Sequence, residues 1–268
     1  MALLPFPVPD DDRRAGFDED DGLAASGKMS FLEHLDELRK RLIYSIIGIA
    51  AGCGIAYVFI GRIFDFIMHP LQEMLPAGGK LMFTSGAEPF MLYLKIGFLA
   101  GLFIASPWVL WQVWLFIAPG LYSNEKKFAI PFVFLSSVFF ILGGLFAHFV
   151  AFPWTWKFFI SFTTDYMIFM PKVDEAFSLY TKMILGFGII FEMPTLVFFL
   201  ARMGVVTAGF LIRSSKYAVL VIAIVAAVVS PGTDAVSMLI MAVPMLGLYG
   251  ISILVAWIFG KSRRTAEA

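Results

Sequence analysis

The chain has 268 residues, of which 60% are hydrophobic and only 15% are charged, and its 20 basic residues balance its 20 acidic residues. Soluble domains are about 45–50% apolar and about 25% charged, so this composition excludes an ordinary soluble enzyme. The lack of a basic surplus also excludes a nucleic-acid-binding protein. The single cysteine, Cys53, excludes an intrachain disulfide and a cysteine-based metal site. These observations predict a polytopic membrane protein.

Residues 1–27 form a segment unlike the rest of the chain. They carry seven acids and two arginines but no apolar periodicity, a composition typical of disorder. The pair Arg13-Arg14 is followed by acids rather than by an apolar stretch, so the segment lacks the pattern of a secretory signal. We therefore predict three parts: a disordered acidic tail over 1–27, a transmembrane domain over 28–260 and a short basic cytoplasmic tail over 261–268.

A helix-capping pattern opens the transmembrane domain. Ser30 precedes Glu33 by the spacing of a capping box. Over residues 31–41, apolar residues occupy one side of the predicted helix and charged residues occupy the other. This pattern predicts a short amphipathic helix that lies at the membrane interface before the first span. Within it, Glu37 and Arg41 have the i,i+4 spacing of an ordinary helical ion pair.

Six charge-poor apolar runs follow this helix. They cover residues 42–61, 89–119, 128–152, 183–201, 217–230 and 236–259. A helix rises about 1.5 Å per residue and needs about 20 residues to cross a bilayer. The fifth run is too short, so either its helix starts inside the preceding connection or the bilayer thins around it. The sequence thus predicts six transmembrane helices, with long outer connections over 62–88 and 153–182.

Basic residues are distributed unevenly between the connections. With both termini placed inside, the inner segments hold twelve lysines and arginines and the outer segments hold five. Cytoplasmic loops of membrane proteins carry the excess of Lys and Arg. This asymmetry therefore predicts that both termini are cytoplasmic.

Two acidic positions are difficult to explain as scaffold. Glu192 lies at the centre of the fourth run, where a carboxylate costs about 2.5–3.5 kcal/mol and should face other helices or a wet cavity. The simpler alternative for Glu192 is a structural hydrogen bond between spans. Glu125 lies in the inner connection that follows Phe116, on the same predicted face as Glu37. Two carboxylates there suit a pair of arginines, because guanidinium and carboxylate groups match in bidentate geometry.

Several of these segments resemble the TatC family, the multispanning subunit of the twin-arginine protein translocase. The resemblance covers about residues 29–260. It rests on SFLEHLDELRKR at 30–41, FIAPGLY at 116–122 with Glu125 after it, and FEMP at 191–194, together with Pro70, Ser106-Pro107 and Gln112-Val-Trp114. The segments 30–41 and 116–122 are together highly specific.

The resemblance implies a fold and a function. The fold is all-α, with six transmembrane helices, both termini cytoplasmic and the short amphipathic helix in front. The function is that of a signal-peptide receptor and core subunit, not an enzyme, which exports folded proteins across a bacterial cytoplasmic (inner) membrane using the proton-motive force. The implied partners are TatA- and TatB-like single-span subunits, the twin-arginine signal peptides of folded cargo proteins, the lipid bilayer and further copies of the chain. No cofactor, metal site or catalytic residue is implied.

The resemblance also assigns roles to residues. Glu37, Glu125, Arg39 and Phe116 would bind the signal peptide. Glu192 would contact the single-span partners within the membrane. Pro70 and Asp234 are further candidates. These assignments follow from the family pattern, and each is an expectation for this chain.

Two other functions remain open for a polytopic membrane protein. A proton-coupled secondary transporter predicts paired broken helices and several membrane-embedded charges, whereas this chain has one central acid and no visible repeat. An intramembrane protease needs a G-x-S-x-G nucleophile facing a histidine or an H-E-x-x-H zinc motif. Ser85-Gly86 falls in an outer connection, and His34 is preceded rather than followed by glutamate. The secondary transporter is therefore the stronger alternative.

Overall fold

The computed structural model describes residues 31–75, 79–117, 129–164, 166–167, 169–230 and 234–260. Over these residues the fold is built from ten α-helices: α1 Phe31–Val58, α2 Ile60–Glu73, α3 Glu88–Ile117, α4 Ala129–Phe146, α5 Phe152–Ile160, α6 Val173–Ile190, α7 Glu192–Met203, α8 Ala208–Arg213, α9 Ser215–Val229 and α10 Ala235–Phe259. A π-helical turn, Ala147–Ala151, joins α4 to α5. The predicted tails over 1–27 and 261–268 lie outside the described residues, and so does Glu125.

Five helical stretches in this part of the chain are long and apolar enough to cross a membrane. They are Leu32–Val58, Glu88–Ile117, Ile130–Ile160, Val173–Met203 and Ala235–Phe259. A shorter apolar helix, α9, has 15 residues and covers only about 22 Å. It begins at Ser215, two residues before the predicted run, so an early start does not supply the missing length. The prediction of an all-helical membrane protein is confirmed, with five candidate spans and one shorter apolar helix.

The predicted short amphipathic helix before the first span is wrong as a separate element. Residues 31–41 are the first turns of α1, which continues without interruption to Val58. No proline or glycine occurs between Phe31 and Gly48 to end the helix. The leucines of this segment face outward, with Leu32 72% exposed and Leu38 44% exposed. They extend the apolar surface of the span rather than forming an independent interfacial helix.

The two long outer connections contain helices that the hydropathy pattern does not reveal. Helix α2 occupies the first part of the first connection, buries Ile67, Met68 and Leu71, and holds Pro70 within the helix. In the second connection, α5 extends the third span to Ile160 and α6 begins at Val173. These segments mix charged and apolar residues, so a search for charge-poor runs passes over them.

Helices α1 and α3 pack against each other in antiparallel orientation through glycines. A Cβ atom on Gly52 would lie 2.4 Å from the carbonyl oxygen of Gly101, and a Cβ on Gly101 would lie 2.6 Å from the Cα of Cys53. At one end of this contact, the indole nitrogen of Trp108 donates to the carbonyl of Tyr44 over 3.0 Å. The small residues bring the two backbones close together. This contact sets which residues of α1 face which residues of α3.

The largest buried cluster surrounds α6. Phe177, Tyr180 and Phe187 are each at most 2% exposed and pack with residues of α2, α3, α5 and α10. A smaller aromatic cluster lies where α3 ends and α4 begins. There Trp114 contacts Phe132 and Phe199, with ring centroids 4.9 Å away in both cases. This cluster holds α3, α4 and α7 together at that end of the bundle.

Candidate functional site

The start of α1 and the end of α3 meet at one end of the bundle, which we call the receptor end after the role predicted for its residues. The ring of His34 stacks on the ring of Phe116, with centroids 4.4 Å apart and an interplanar angle of 22°. Two turns further along α1, Nη1 of Arg41 donates to Oε1 of the buried Gln112 over 3.3 Å. The antiparallel contact between the two helices thus places residues from both predicted motifs side by side.

Glu37 lies between these two contacts on the same face of α1. Nε of Arg41 donates to Oε1 of Glu37 over 2.7 Å, and Nη2 of Arg41 lies 2.5 Å from the same oxygen. The side chains of Arg41 and Glu37 are 21% and 19% exposed. The i,i+4 ion pair predicted from the spacing is therefore present. Both nitrogens contact Oε1 of the carboxylate.

The structure brings together some of the predicted signal-binding residues. Glu37 and Phe116 lie at the receptor end, on facing helices. Arg39 is on the same turns of α1 and is exposed. Glu125 lies outside the described residues, so its distance from Glu37 is not defined by the structure.

Three further residues lie at this end, and the sequence did not predict them to be site residues. His34 and Arg41 share a helical face with Glu37, because the spacings i−3 and i+4 bring side chains to the same side of a helix. Their spacing from Glu37 could therefore have identified both residues from the sequence. Gln112 offers only its polarity inside an apolar span, and its position opposite Arg41 emerges only from the packing of α1 on α3. Together these groups form a half-buried site that carries both a carboxylate and a guanidinium.

A second polar site lies within the membrane-spanning part of the bundle, at Glu192. Helix α6 ends at Ile190 and α7 begins at Glu192. Pro194 lacks the N–H that would donate to the carbonyl of Ile190, which explains the break between the two helices. The broken helix places the carboxylate of Glu192 beside α4.

Polar atoms around Glu192 are buried without hydrogen bonds to other described residues. They are Oε1 of Glu192 and the hydroxyls of Ser136 and Thr195. Ser136 of α4 interacts with the carboxylate of Glu192, although the pair does not reach hydrogen-bond geometry. Ser136 and Thr195 are both 0% exposed. Each buried polar group that lacks a partner costs about 1–3 kcal/mol, so this cluster is arranged to accept additional hydrogen bonds.

The remaining two candidates have structural surroundings. Asp234 is the N-cap residue of α10, where its carboxylate accepts from the backbone N–H of Ser237 over 2.7 Å and from the Ser237 hydroxyl over 2.9 Å. The bond from that N–H lowers the pKa of Asp234 below its ordinary value. Pro70 is half-buried within α2, beside a cavity of about 550 Å³ that His69 and His148 also line. Neither residue contacts the receptor end.

Comparison with known proteins agrees with the sequence motifs. The family model for TatC, the Sec-independent protein translocase protein, matches residues 33–244. A TatC protein of Koribacter versatilis is 44% identical over 265 residues, which cover 97% of this chain and 96% of the relative. A TatC protein of Aquifex aeolicus is 37% identical, with 89% of this chain and 99% of the relative covered. A crystal structure of the twin arginine translocase receptor TatC is 38% identical, matches with a TM-score of 0.72, and covers 83% of this chain and 97% of its own.

Proposed function

The chain belongs to the TatC family of Sec-independent protein translocase subunits, and from this premise we propose that its receptor end binds the twin-arginine signal peptides of folded cargo proteins. The chain is a transport protein rather than an enzyme. The observation that carries the proposal is the half-buried carboxylate of Glu37, presented between Phe116 and Gln112 where α1 meets α3. Membership of this family also removes the basis for the alternative of a proton-coupled secondary transporter.

Arginine recognition follows from the chemistry of this site. In our proposal a guanidinium of the signal peptide takes the place of Arg41 on the carboxylate of Glu37. A hydrogen bond to a charged group contributes about 1.5–3 kcal/mol. In our proposal Glu125 supplies the second carboxylate, so that each arginine of the pair meets one acid. Arg39 and Phe116 complete the site, Phe116 by offering an apolar ring to the hydrophobic part of the signal.

The proposed orientation places the receptor end in the cytoplasm, where unexported cargo is found. It rests on the excess of lysines and arginines in the segments at that side, twelve against five. Both termini are then cytoplasmic, and the membrane is the bacterial cytoplasmic (inner) membrane. In this orientation α9 is the fifth of six helices that pass through the bilayer, with local thinning around its 15 residues.

We further propose that Glu192 contacts TatA- and TatB-like single-span subunits. Its buried carboxylate oxygen Oε1 and the hydroxyls of Ser136 and Thr195 lack hydrogen bonds to other described residues. A polar side chain on a partner helix would satisfy them in a medium that offers no water. Transport in this scheme is driven by the proton-motive force, and the chain associates with further copies of itself in the receptor complex.

Photocrosslinking of a twin-arginine signal peptide tests the receptor role. Glu37→Gln keeps the shape of the side chain but removes its charge and one acceptor oxygen, so it should reduce crosslinking, and Glu125→Gln should do the same. Asp36→Asn is the matched control, because Asp36 is the exposed neighbour of Glu37 on the same helix. Crosslinking at the wild-type level in both glutamate variants, with normal expression, would refute the proposal.

A further inference from the structure

Two lysines, Lys95 and Lys182, lie at the same level of the bundle, at the end opposite the receptor end. Lys182 is in α6 and Arg202 is in α7. The 20 residues that separate them correspond to about 30 Å of helix, the thickness of the hydrocarbon core. This length is consistent with Lys182 at the boundary of the hydrocarbon and the first turns of α6 beyond it. Lys95 of α3 marks the same boundary, because only uncharged residues follow it up to Ile117.

Between these lysines, α3 and α6 enclose a groove on the outer surface of the bundle. Its volume is about 460 Å³. Lys95, Ser178, Thr181 and Lys182 supply its polar part. The apolar part includes Leu102, which lies deeper in the membrane than Lys95 by about 10 Å along α3. The groove thus has a cationic upper part in the headgroup region and an apolar lower part in the hydrocarbon.

The polar part has groups that the described protein does not satisfy. Lys95 forms an ion pair with Asp174. Lys182, in contrast, is exposed and has no hydrogen-bond or ion-pair partner among the described residues. The hydroxyl oxygen of Thr181 is buried and also lacks a hydrogen bond within that part of the chain. The exposed ammonium of Lys182 matches the phosphate oxygens of a lipid headgroup, whereas the Thr181 hydroxyl lies beneath the surface of the groove.

We propose that this groove, which we call the α3–α6 groove, binds an anionic phospholipid of the leaflet opposite the receptor end. The phosphate accepts a hydrogen bond from Lys182, with Lys95 and its partner Asp174 at the rim. One acyl chain lies against Leu102 and Leu185 below. Charge complementarity selects the lipid, since each Lys near an anionic membrane surface contributes about 1 kcal/mol of attraction. The apolar lower half selects a lipid over a free phosphate ion.

Native mass spectrometry of the full-length protein tests this assignment. The purified protein is titrated with phosphatidylglycerol or with phosphatidylcholine of the same acyl chains. We expect one phosphatidylglycerol to bind in preference to phosphatidylcholine, and Lys182→Gln to weaken that binding about fivefold, the factor that corresponds to about 1 kcal/mol. Lys80→Gln, which alters an exposed lysine outside the groove, should bind as the wild type does.

Two further variants separate lipid binding from a loss of folding. Lys182→Arg keeps the charge and should bind phosphatidylglycerol like the wild type. Leu102→Trp fills the apolar half and should weaken binding although both lysines remain. Equal affinity of the wild type and Lys182→Gln for phosphatidylglycerol would overturn the proposal, as would equal affinity of the wild type for the two lipids. Displacement of the lipid by millimolar glycerol 1-phosphate alone would also overturn it, since the site would then recognise a free phosphate.

Discussion

Substituting alanine for Gly52 tests whether the contact between α1 and α3 builds the receptor end. The added methyl group would lie 2.4 Å from the carbonyl oxygen of Gly101 and 3.1 Å from the Cβ of Ala105. Carbon atoms prefer separations of about 3.5–4.0 Å, so the two helices must separate locally by about 1 Å. The neighbours nearest to the methyl are backbone or Cβ atoms, which cannot move aside by changing a rotamer. Overpacking of this kind costs about 1–3 kcal/mol.

Gly54→Ala is the matched control, because Gly54 lies on the same helix and an added Cβ there meets nothing within 4 Å. Both substitutions gain the same helix propensity of about 0.8–1.0 kcal/mol. This gain cancels when the two variants are compared, so the difference between them reports the overpacking alone. We expect Gly52→Ala to unfold at a lower temperature than Gly54→Ala when both are heated in detergent.

Because Gly52 and Arg41 lie on the same continuous helix, the displacement of α1 at Gly52 should also move Arg41 away from Gln112. Nη1 of Arg41 is 3.3 Å from Oε1 of Gln112, and a hydrogen bond at this length does not survive a further separation of about 1 Å. Signal-peptide crosslinking should therefore fall in Gly52→Ala and stay unchanged in Gly54→Ala. If the two variants unfold at the same temperature and crosslink equally, the close helix contact is not what positions Arg41 and Gln112.

Three further outcomes follow from individual contacts. Gln112→Leu should reduce signal crosslinking while leaving the protein folded, because it removes an acceptor of Arg41 but keeps the apolar volume; unchanged crosslinking would contradict this. Glu192→Gln should keep signal crosslinking but reduce copurification with the single-span subunits, whereas normal copurification and transport would make Glu192 a structural residue. Asp234→Ala should lower the unfolding temperature at neutral pH by removing the cap of α10. Because hydrogen bonds lower the pKa of Asp234 in the folded state, its contribution is present at neutral pH and is lost as the pH falls through that lowered pKa. The difference from the wild type should then close in acid, and a difference that persists there would contradict the capping role.

The elements that the sequence predicts best are those defined by local composition. Charge-poor runs locate α3, α4, α9 and α10, because burial in lipid requires long apolar stretches. The same criterion misses α2 and the first turns of α6, where residues such as Asp174 and Lys182 lower the hydropathy of a segment that is still helical. It also divides α1 in two, since the change from charged to apolar surface at residue 42 is a change of environment and not of backbone conformation.

The candidate site was predictable to the extent that it depends on one helix. The pairing of Glu37 with Arg41 follows from their i,i+4 spacing, and the structure contains it. The contact between Arg41 and Gln112 joins residues 71 positions apart, and its register depends on the glycine contact between α1 and α3. The spacing of residues within α1 or within α3 does not predict this contact. The same reasoning applies to the hydroxyl of Ser136 on α4, which approaches Glu192 of α7 only in the packed bundle.

The ion pair between Glu37 and Arg41 limits the affinity that the proposed receptor can gain from a single arginine. Glu37 already holds one guanidinium, that of Arg41, so an arginine from a signal peptide that merely replaces Arg41 exchanges one ion pair for a similar one. Net affinity then requires a second acid for a second arginine, the role we propose for Glu125. Removal of one partner from a buried pair is costly because it leaves an uncompensated charge. Gln112 lowers that cost, since Arg41 keeps a hydrogen-bond acceptor on α3 when Glu37 turns to the signal. A site of this kind favours two adjacent arginines over one and still releases them, because Arg41 remains beside Glu37 to restore the original pair.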